Sequence, residues 1–200
     1  ADTGDLYRFS IDEMEEFWLS VREEFGLLAE TWGDRVLVDA DKMPGARWFP
    51  DARLSFAENL LRRRDDSDAI VFRGEDRVER RLSWAELYHQ VSVFAQALSG
   101  AGVGRGDRVA AYLPNLPEAV VAMLATASLG AAWSSGSPDF GVLGILDRFG
   151  QIEPKVLIAA DGYFYNGRTL DTLPKLAGIA AALPSVSRVV VVPYVRDDPD

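Results

Sequence analysis

Residues 106–130 read GDRVAAYLPNLPEAVVAMLATASLG. Two periods meet in this stretch. Arg108 to Leu113 is a short, mostly apolar run between Gly106-Asp107 and Pro114, the pattern of a strand buried on both faces. Asn115, Pro117 and Glu118 then set a helix start, with proline inside the first turn, where its missing N–H has no partner to lose. Apolar positions continue to Leu129 before Gly130 ends them. A buried strand feeding straight into a helix is the repeating unit of a parallel α/β sheet.

The same alternation extends on both sides. Downstream, the spacing predicts strands at Ala131–Ser134, Lys155–Ala160 and Arg188–Val192, with helices at Gly141–Phe149 and Thr169–Leu183. Upstream, Ala69–Arg73 reads as a strand that can pair with Val78–Leu82. Ser83 and Glu86 form a capping box that opens a helix through Leu87, Val91, Phe94 and Leu98. The fold class expected is α/β, a mostly parallel sheet flanked by helices.

The first third differs. Ser10 and Glu13 have capping-box spacing before Met14, Phe17, Trp18, Val21 and Phe25, which predicts one amphipathic helix over 11–25. Residues 27–53 carry several breakers and read as an irregular segment pinned by Trp32, Trp48 and Phe49, and Phe56–Arg63 reads as a short helix. Charge changes at the same place: residues 1–68 hold 17 acids and 9 bases, whereas residues 69–193 hold 11 of each. Residues 1–68 are therefore expected to form a helical and irregular N-terminal cap, and residues 69–200 the first, incomplete part of an α/β domain.

The 200 residues carry a net charge of −10, which argues against the phosphate-neutralising surface of a nucleic-acid binder. The one basic run, Arg62-Arg63-Arg64, reads as helix-end cations. No apolar run reaches the ~18 residues of a membrane span, and the first residues lack the pattern of a secretory signal. There is no cysteine, hence no thiol nucleophile, disulfide or cysteine metal site. The single histidine, His89, has no second imidazole to share a metal with and reads as part of a solvated helix face. No carboxylate pair suggests acid–base catalysis, so no catalytic residue and no metal ligand are expected here. A cytoplasmic protein is the expectation.

Ligands of parallel sheets sit beyond the carboxyl ends of strands, which leaves three loops to weigh. Gly102-Val-Gly-Arg-Gly-Asp107 follows a helix and precedes a strand, the reverse of a dinucleotide loop, and reads as a helix stop. Ser134 to Asp139 joins a strand to a helix: Ser135, Gly136 and Ser137 would let a ligand approach closely, although a plain turn accounts for them as well. Asp161 to Arg168 combines aromatic rings, an amide, a glycine and a guanidinium, a stacking-plus-phosphate composition. Its alternative is an aromatic loop over the sheet edge, with Arg168 paired to Asp161 or Asp171.

The run Trp48-Phe-Pro-Asp-Ala-Arg-Leu-Ser-Phe-Ala-Glu-Asn-Leu-Leu61 resembles the N-terminal segment of acyl-CoA synthetases of the acetyl-CoA synthetase type. Leu82-Ser-Trp-Ala-Glu-Leu87, Gly106 to Asn115 and Pro117-Glu-Ala119 resemble the wider adenylate-forming superfamily. Ser137-Pro-Asp-Phe-Gly141, Asp147 to Lys155 and Asp161-Gly-Tyr163 are similar to the acetoacetyl-CoA synthetase branch, with acetyl- or other short-chain acyl-CoA synthetases as the alternative. The resemblance implies acyl-adenylate formation from ATP followed by thioester formation with CoA, with Mg²⁺, and with the remaining large domain and the C-terminal domain of the same chain as partners. No phosphate loop with lysine occurs in these residues, so the segment alone is expected to be inactive and to hold no cofactor tightly. The family's Arg-x-Gly-Arg stretch, which contacts the nucleotide end of CoA, corresponds here to Tyr165, Asn166, Gly167 and Arg168: glycine and the second arginine are kept, and tyrosine replaces the first. A non-catalytic folding or interaction module is the alternative of another class. An interrupted sheet is also expected to leave apolar surface exposed.

Overall fold

The computed structural model describes residues 2–75 and 77–196. The chain forms two compact units, residues 1–59 and 60–200.

In the first unit, α1 (Thr3–Asp12) and α2 (Met14–Glu24) replace the single helix expected over 11–25. The helix start lies at Asp2, whose carboxylate accepts from the Asp5 N–H while the Asp5 carboxylate accepts from the Asp2 N–H. Ser10 is inside α1, and its hydroxyl donates to the Tyr7 carbonyl at 2.7 Å rather than capping anything. Glu13 breaks the helix with φ −120° and ψ 56°. The irregular segment is held as expected by aromatic edges: Trp32 meets Phe49 at 5.4 Å between centroids and Trp18 meets Trp48 at 5.7 Å. Two short strands, β1 (Leu37–Val38) and β2 (Arg47–Trp48), pair antiparallel within it. The helix α3 (Phe56–Leu60) follows.

The second unit opens with the antiparallel hairpin β3 (Asp68–Gly74) and β4 (Val78–Ser83). Before it, Arg63 pairs with Asp65 at 3.0 Å and Arg64 stacks 3.8 Å from the Tyr88 ring centroid, so these two cations of the basic run serve side-chain contacts instead of a helix end. The Ser67 hydroxyl, Arg63 and the Ser67 N–H hold the Asp65 carboxyl at about 2. The capping box of Ser83 and Glu86 opens α4 (Trp84–Gly100) as expected.

Four parallel strands follow: β5 (Arg108–Tyr112), β6 (Ala132–Gly136), β7 (Val156–Ala160) and β10 (Arg188–Val192), in the order β10-β7-β5-β6. Between them run α5 (Pro117–Ser128), α6 (Val142–Ile152) and α7 (Leu173–Ala182), with a second hairpin, β8 (Gly162–Tyr165) and β9 (Arg168–Asp171), inserted between β7 and α7. The N-cap of α5 is Leu116, not Asn115, and Thr169–Asp171, expected to be helical, is strand. The chain steps from β5 outward to β6, then back across β5 to β7 and on to β10. Right-handed crossovers therefore put α5 on one face of the sheet and α6 and α7 on the other. On the latter face Tyr112, Ile145, Phe149, Leu157, Leu176 and Ile179 form a buried core. β7 is buried at every position, which is why its sequence is an unbroken apolar run. Single large apolar side chains are exposed on the helices, Leu143 on α6 at 83% among them. Among the described residues no helix is long and apolar enough to cross a membrane.

Candidate functional site

The order of the strands reverses at β5, whose neighbours are β6 on one side and β7 on the other, and such a switch point is where a parallel sheet receives a ligand, in the crevice at the carboxyl ends of its strands. The glycine run 102–107 lies at the opposite end, between α4 and β5. Val103 N–H donates to the Leu98 carbonyl at 2.9 Å, closing the helix across Gly102, which has φ +80°. Asp107 accepts from Gly104 N–H at 2.8 Å and from Lys155 at 3.2 Å, and in that order these bonds lower its carboxyl below the usual range. The run is a helix stop, as its context implied.

The loop after β6 stands at the crevice. Ser135 is a β6 residue paired with Ala111, and its side is exposed. Gly136 is buried: a Cβ there would come within 2.6 Å of Ile145 Cδ1, so a larger residue would make the Ile145 side chain on α6 shift. The Ser137 hydroxyl donates to Asp139 at 2.9 Å and accepts from the Asp139 N–H at 3.3 Å. The other Asp139 oxygen accepts from the Tyr163 hydroxyl at 3.0 Å, and the buried Tyr112 hydroxyl lies 2.7 Å from the Pro138 carbonyl. Two tyrosines, one from β5 and one from β8, thus fix this loop.

Burial, followed by the hydrogen bond and charge of Asp139, pushes Tyr163 from 10.0 up to about 12. The folded protein therefore holds this proton more tightly than the unfolded chain. Stability from it is complete below pH 10 and is lost as pH rises toward 12. Burial also raises Tyr112 and Tyr194, so alkaline titration of tyrosinate absorbance should show several late-ionising tyrosines, of which one disappears in Tyr163→Phe; an unchanged titration in that variant would contradict the assignment.

The third loop is the β8–β9 hairpin. Its turn is the two residues Asn166 (φ 49°) and Gly167 (φ 73°), both left-handed, the geometry that Asn-Gly favours between twisted strands. Tyr165 is opposite Arg168, and Phe164 opposite Thr169, so alternation puts the two pairs on opposite faces. The Phe164 face is covered. Tyr194 meets its ring at 5.2 Å, and the Arg77 guanidinium lies 5.1 Å over that ring while reaching Thr169 Oγ1 at 3.4 Å. The other face carries Tyr163 at its base, Tyr165 at 60% exposure and an exposed Arg168. Among the described residues none forms an ion pair with Arg168. The expected alternative partners, Asp161 and Asp171, belong to Arg196, which donates to the Asp161 carbonyl at 2.9 Å and to the Asp171 carboxylate at 2.8 Å.

The structure thus joins two of the sequence candidates, Ser137 and the 165–168 turn, through Asp139 and Tyr163. The sequence places Asp139 and Tyr163 in these two loops without showing that they bond to each other, and gives no signal for Glu75 or Arg77. His89 is exposed on α4.

Residues 56–200 match the AMP-binding enzyme family. The chain belongs to that family. Residues 3–60 match the acetyl-coenzyme A synthetase N-terminus. Among AMP-binding enzymes, the chain is 51% identical to an acetoacetyl-coenzyme A synthetase of Rhizobium meliloti (strain 1021), over 98% of this chain and 30% of that protein. It is 44% identical to the acetoacetyl-CoA synthetase of Rattus norvegicus, over 96% of this chain and 29% of the relative. The solved structure of acetoacetyl-CoA synthetase from Streptomyces lividans matches with a TM-score of 0.93 at 43% identity, covering all of this chain and 31% of that one. The chain therefore spans about 30% of the length of these relatives, and the α/β sheet expected from its sequence is that of an AMP-binding enzyme.

Proposed function

We propose that this chain is part of an ATP-dependent acid–CoA ligase acting on acetoacetate, in the cytoplasm, with residues 1–68 as its N-terminal cap. A carboxylate oxygen of acetoacetate attacks the α-phosphorus of ATP and pyrophosphate leaves; the CoA sulfur then attacks the acyl carbon and AMP leaves. The similarity of nearly the whole chain to acetoacetyl-CoA synthetases supports this reading. The residues of this chain are assigned to binding and scaffold. Among the described residues no group of acids and histidines comes together to hold a metal, so no residue here is assigned to Mg²⁺, and none to the ATP phosphates.

The observation that carries the local role is the exposed Arg168, which has no ion-pair partner among the described residues, beside Tyr165 on the open face of the hairpin. A planar guanidinium is matched to a phosphate monoester such as the 3′-phosphate of CoA, and an aromatic neighbour can stack or donate a hydrogen bond. Asn166 and Gly167 shape the turn that displays them, and Ser135, Gly136 and Ser137, at the carboxyl end of β6, are linked to the hairpin through Asp139 and Tyr163. Calorimetry should show CoA binding about tenfold tighter than dephospho-CoA, the size of one charge-assisted contact. Arg168→Ala should abolish the difference. Equal affinities for the two ligands in the unaltered chain, or no binding of either, would favour a non-catalytic module.

A further inference from the structure

The two N–H groups of the Asn166–Gly167 turn point at one carboxylate. Asn166 N–H donates to Glu75 Oε1 at 2.8 Å and Gly167 N–H to Glu75 Oε2 at 3.1 Å. From the same β3–β4 connection Arg77 donates to the Gly167 carbonyl at 2.6 Å. The polar backbone of the turn is gripped from both sides, by groups about ninety positions away in sequence. Glu75 itself has φ 44°, a left-handed conformation that favours glycine. A carboxylate in a glycine conformation is an outlier in need of a reason, and the hairpin tip supplies one.

We propose that Glu75 and Arg77 are positioning residues for Arg168, locking the Asn166–Gly167 turn so that Arg168 and Tyr165 stand preformed on the open face as a receptor for a phosphate monoester. The inference rests on the CoA reading above. A two-residue turn held at both N–H groups and at a carbonyl cannot rotate its peptide planes, so the flanking pair, Tyr165 and Arg168, keeps its direction. The ligand then meets a guanidinium whose orienting entropy has been lost on folding and not on binding. Glu75 and Arg77 act from the covered side, and neither is asked to touch the ligand.

Glu75→Gly is the informative variant, because glycine accepts the left-handed conformation without strain and the β3–β4 turn should not weaken. In calorimetry with CoA and dephospho-CoA, Glu75→Gly should bring the CoA preference from about tenfold to within about threefold of unity, with dephospho-CoA affinity unchanged. Glu75→Gln, which keeps one acceptor oxygen and loses the charge, should fall between. In amide hydrogen exchange the Asn166 and Gly167 protons should exchange faster in Glu75→Gly. A full CoA preference in Glu75→Gly, or parallel loss of both ligands, overturns the proposal while leaving Arg168 in its role. No preference in the unaltered chain overturns the CoA reading and this inference together.

Discussion

Asp161→Ala is expected to destabilise the α/β unit by about 3–5 kcal/mol, the range for breaking a buried charge network. The Asp161 side chain is fully buried at the carboxyl end of β7, where the chain turns into the hairpin. Its carboxylate accepts three backbone N–H groups from the segment after β10: Tyr194 at 2.8 Å, Val195 at 3.0 Å and Arg196 at 2.8 Å. Those donors lie in consecutive residues, so one side chain replaces a whole turn of backbone pairing. Alanine would leave the three N–H groups without their acceptor, each at a cost of about 1–3 kcal/mol where water cannot enter. It would also release Tyr194, whose ring packs against both Phe72 and Phe164 and thereby contacts both hairpins. Asp161→Asn keeps the volume and one acceptor, and should cost about half as much. Arg196→Ala should be milder than either, because the Arg196 side chain is 37% exposed and the three N–H bonds survive. Urea unfolding of the three variants would give this order. An Asp161→Ala midpoint within error of the unaltered chain would show that the segment after β10 does not depend on it.

The sheet was legible because three of its four strands carry a strong local signal. β5 and β7 are short apolar runs between breakers, β10 is β-branched, and α5 begins at a proline that only a helix N-terminus tolerates well. The β8–β9 hairpin also carried a signal, Asn166-Gly167 between Tyr163-Phe164-Tyr165 and Arg168-Thr169-Leu170, but its aromatic and cationic composition resembles a ligand loop equally well. The first helix misled for a local reason: Ser10 and Glu13 match the capping-box spacing as well as Asp2 and Asp5 do, and the choice depends on backbone geometry around Glu13. At the candidate site, single residue types were readable and pairings were not. Arg168 is close enough in sequence to pair with Asp161 or Asp171, but Arg196, 35 and 25 residues from them along the chain, takes both. Glu75 and the turn it holds are separated by 91 residues, a distance no periodicity spans.

Phe149→Ala is expected to cost about 3–5 kcal/mol, the range for emptying a buried aromatic position. Phe149 is fully buried on the inner side of α6, in one cluster with Tyr112, Ile145, Leu157 and Ile179. Two features keep the site from collapsing around a cavity. The sheet beneath is pinned by parallel pairing of β5 with both β6 and β7, and Tyr112 is held at its far end by the Pro138 carbonyl. The hole would open beside the crevice loop as well, since the position of a Cβ on Gly136 is 3.7 Å from Phe149 Cζ. Loosening there should let Tyr112 and the 137–140 loop shift, and amide exchange in that loop should quicken along with the loss of stability. Gly144, on the exposed side of the same helix, has nothing within 4 Å of where a Cβ would stand. Gly144→Ala should therefore raise stability by about 0.5–1 kcal/mol through helix propensity alone. Opposite signs from two substitutions five residues apart on α6 would establish that helix packing, and not a general sensitivity of this segment, sets the effect. A Phe149→Ala loss below about 1.5 kcal/mol would mean that the core beneath the crevice repacks, and that the loop is held by its tyrosines alone.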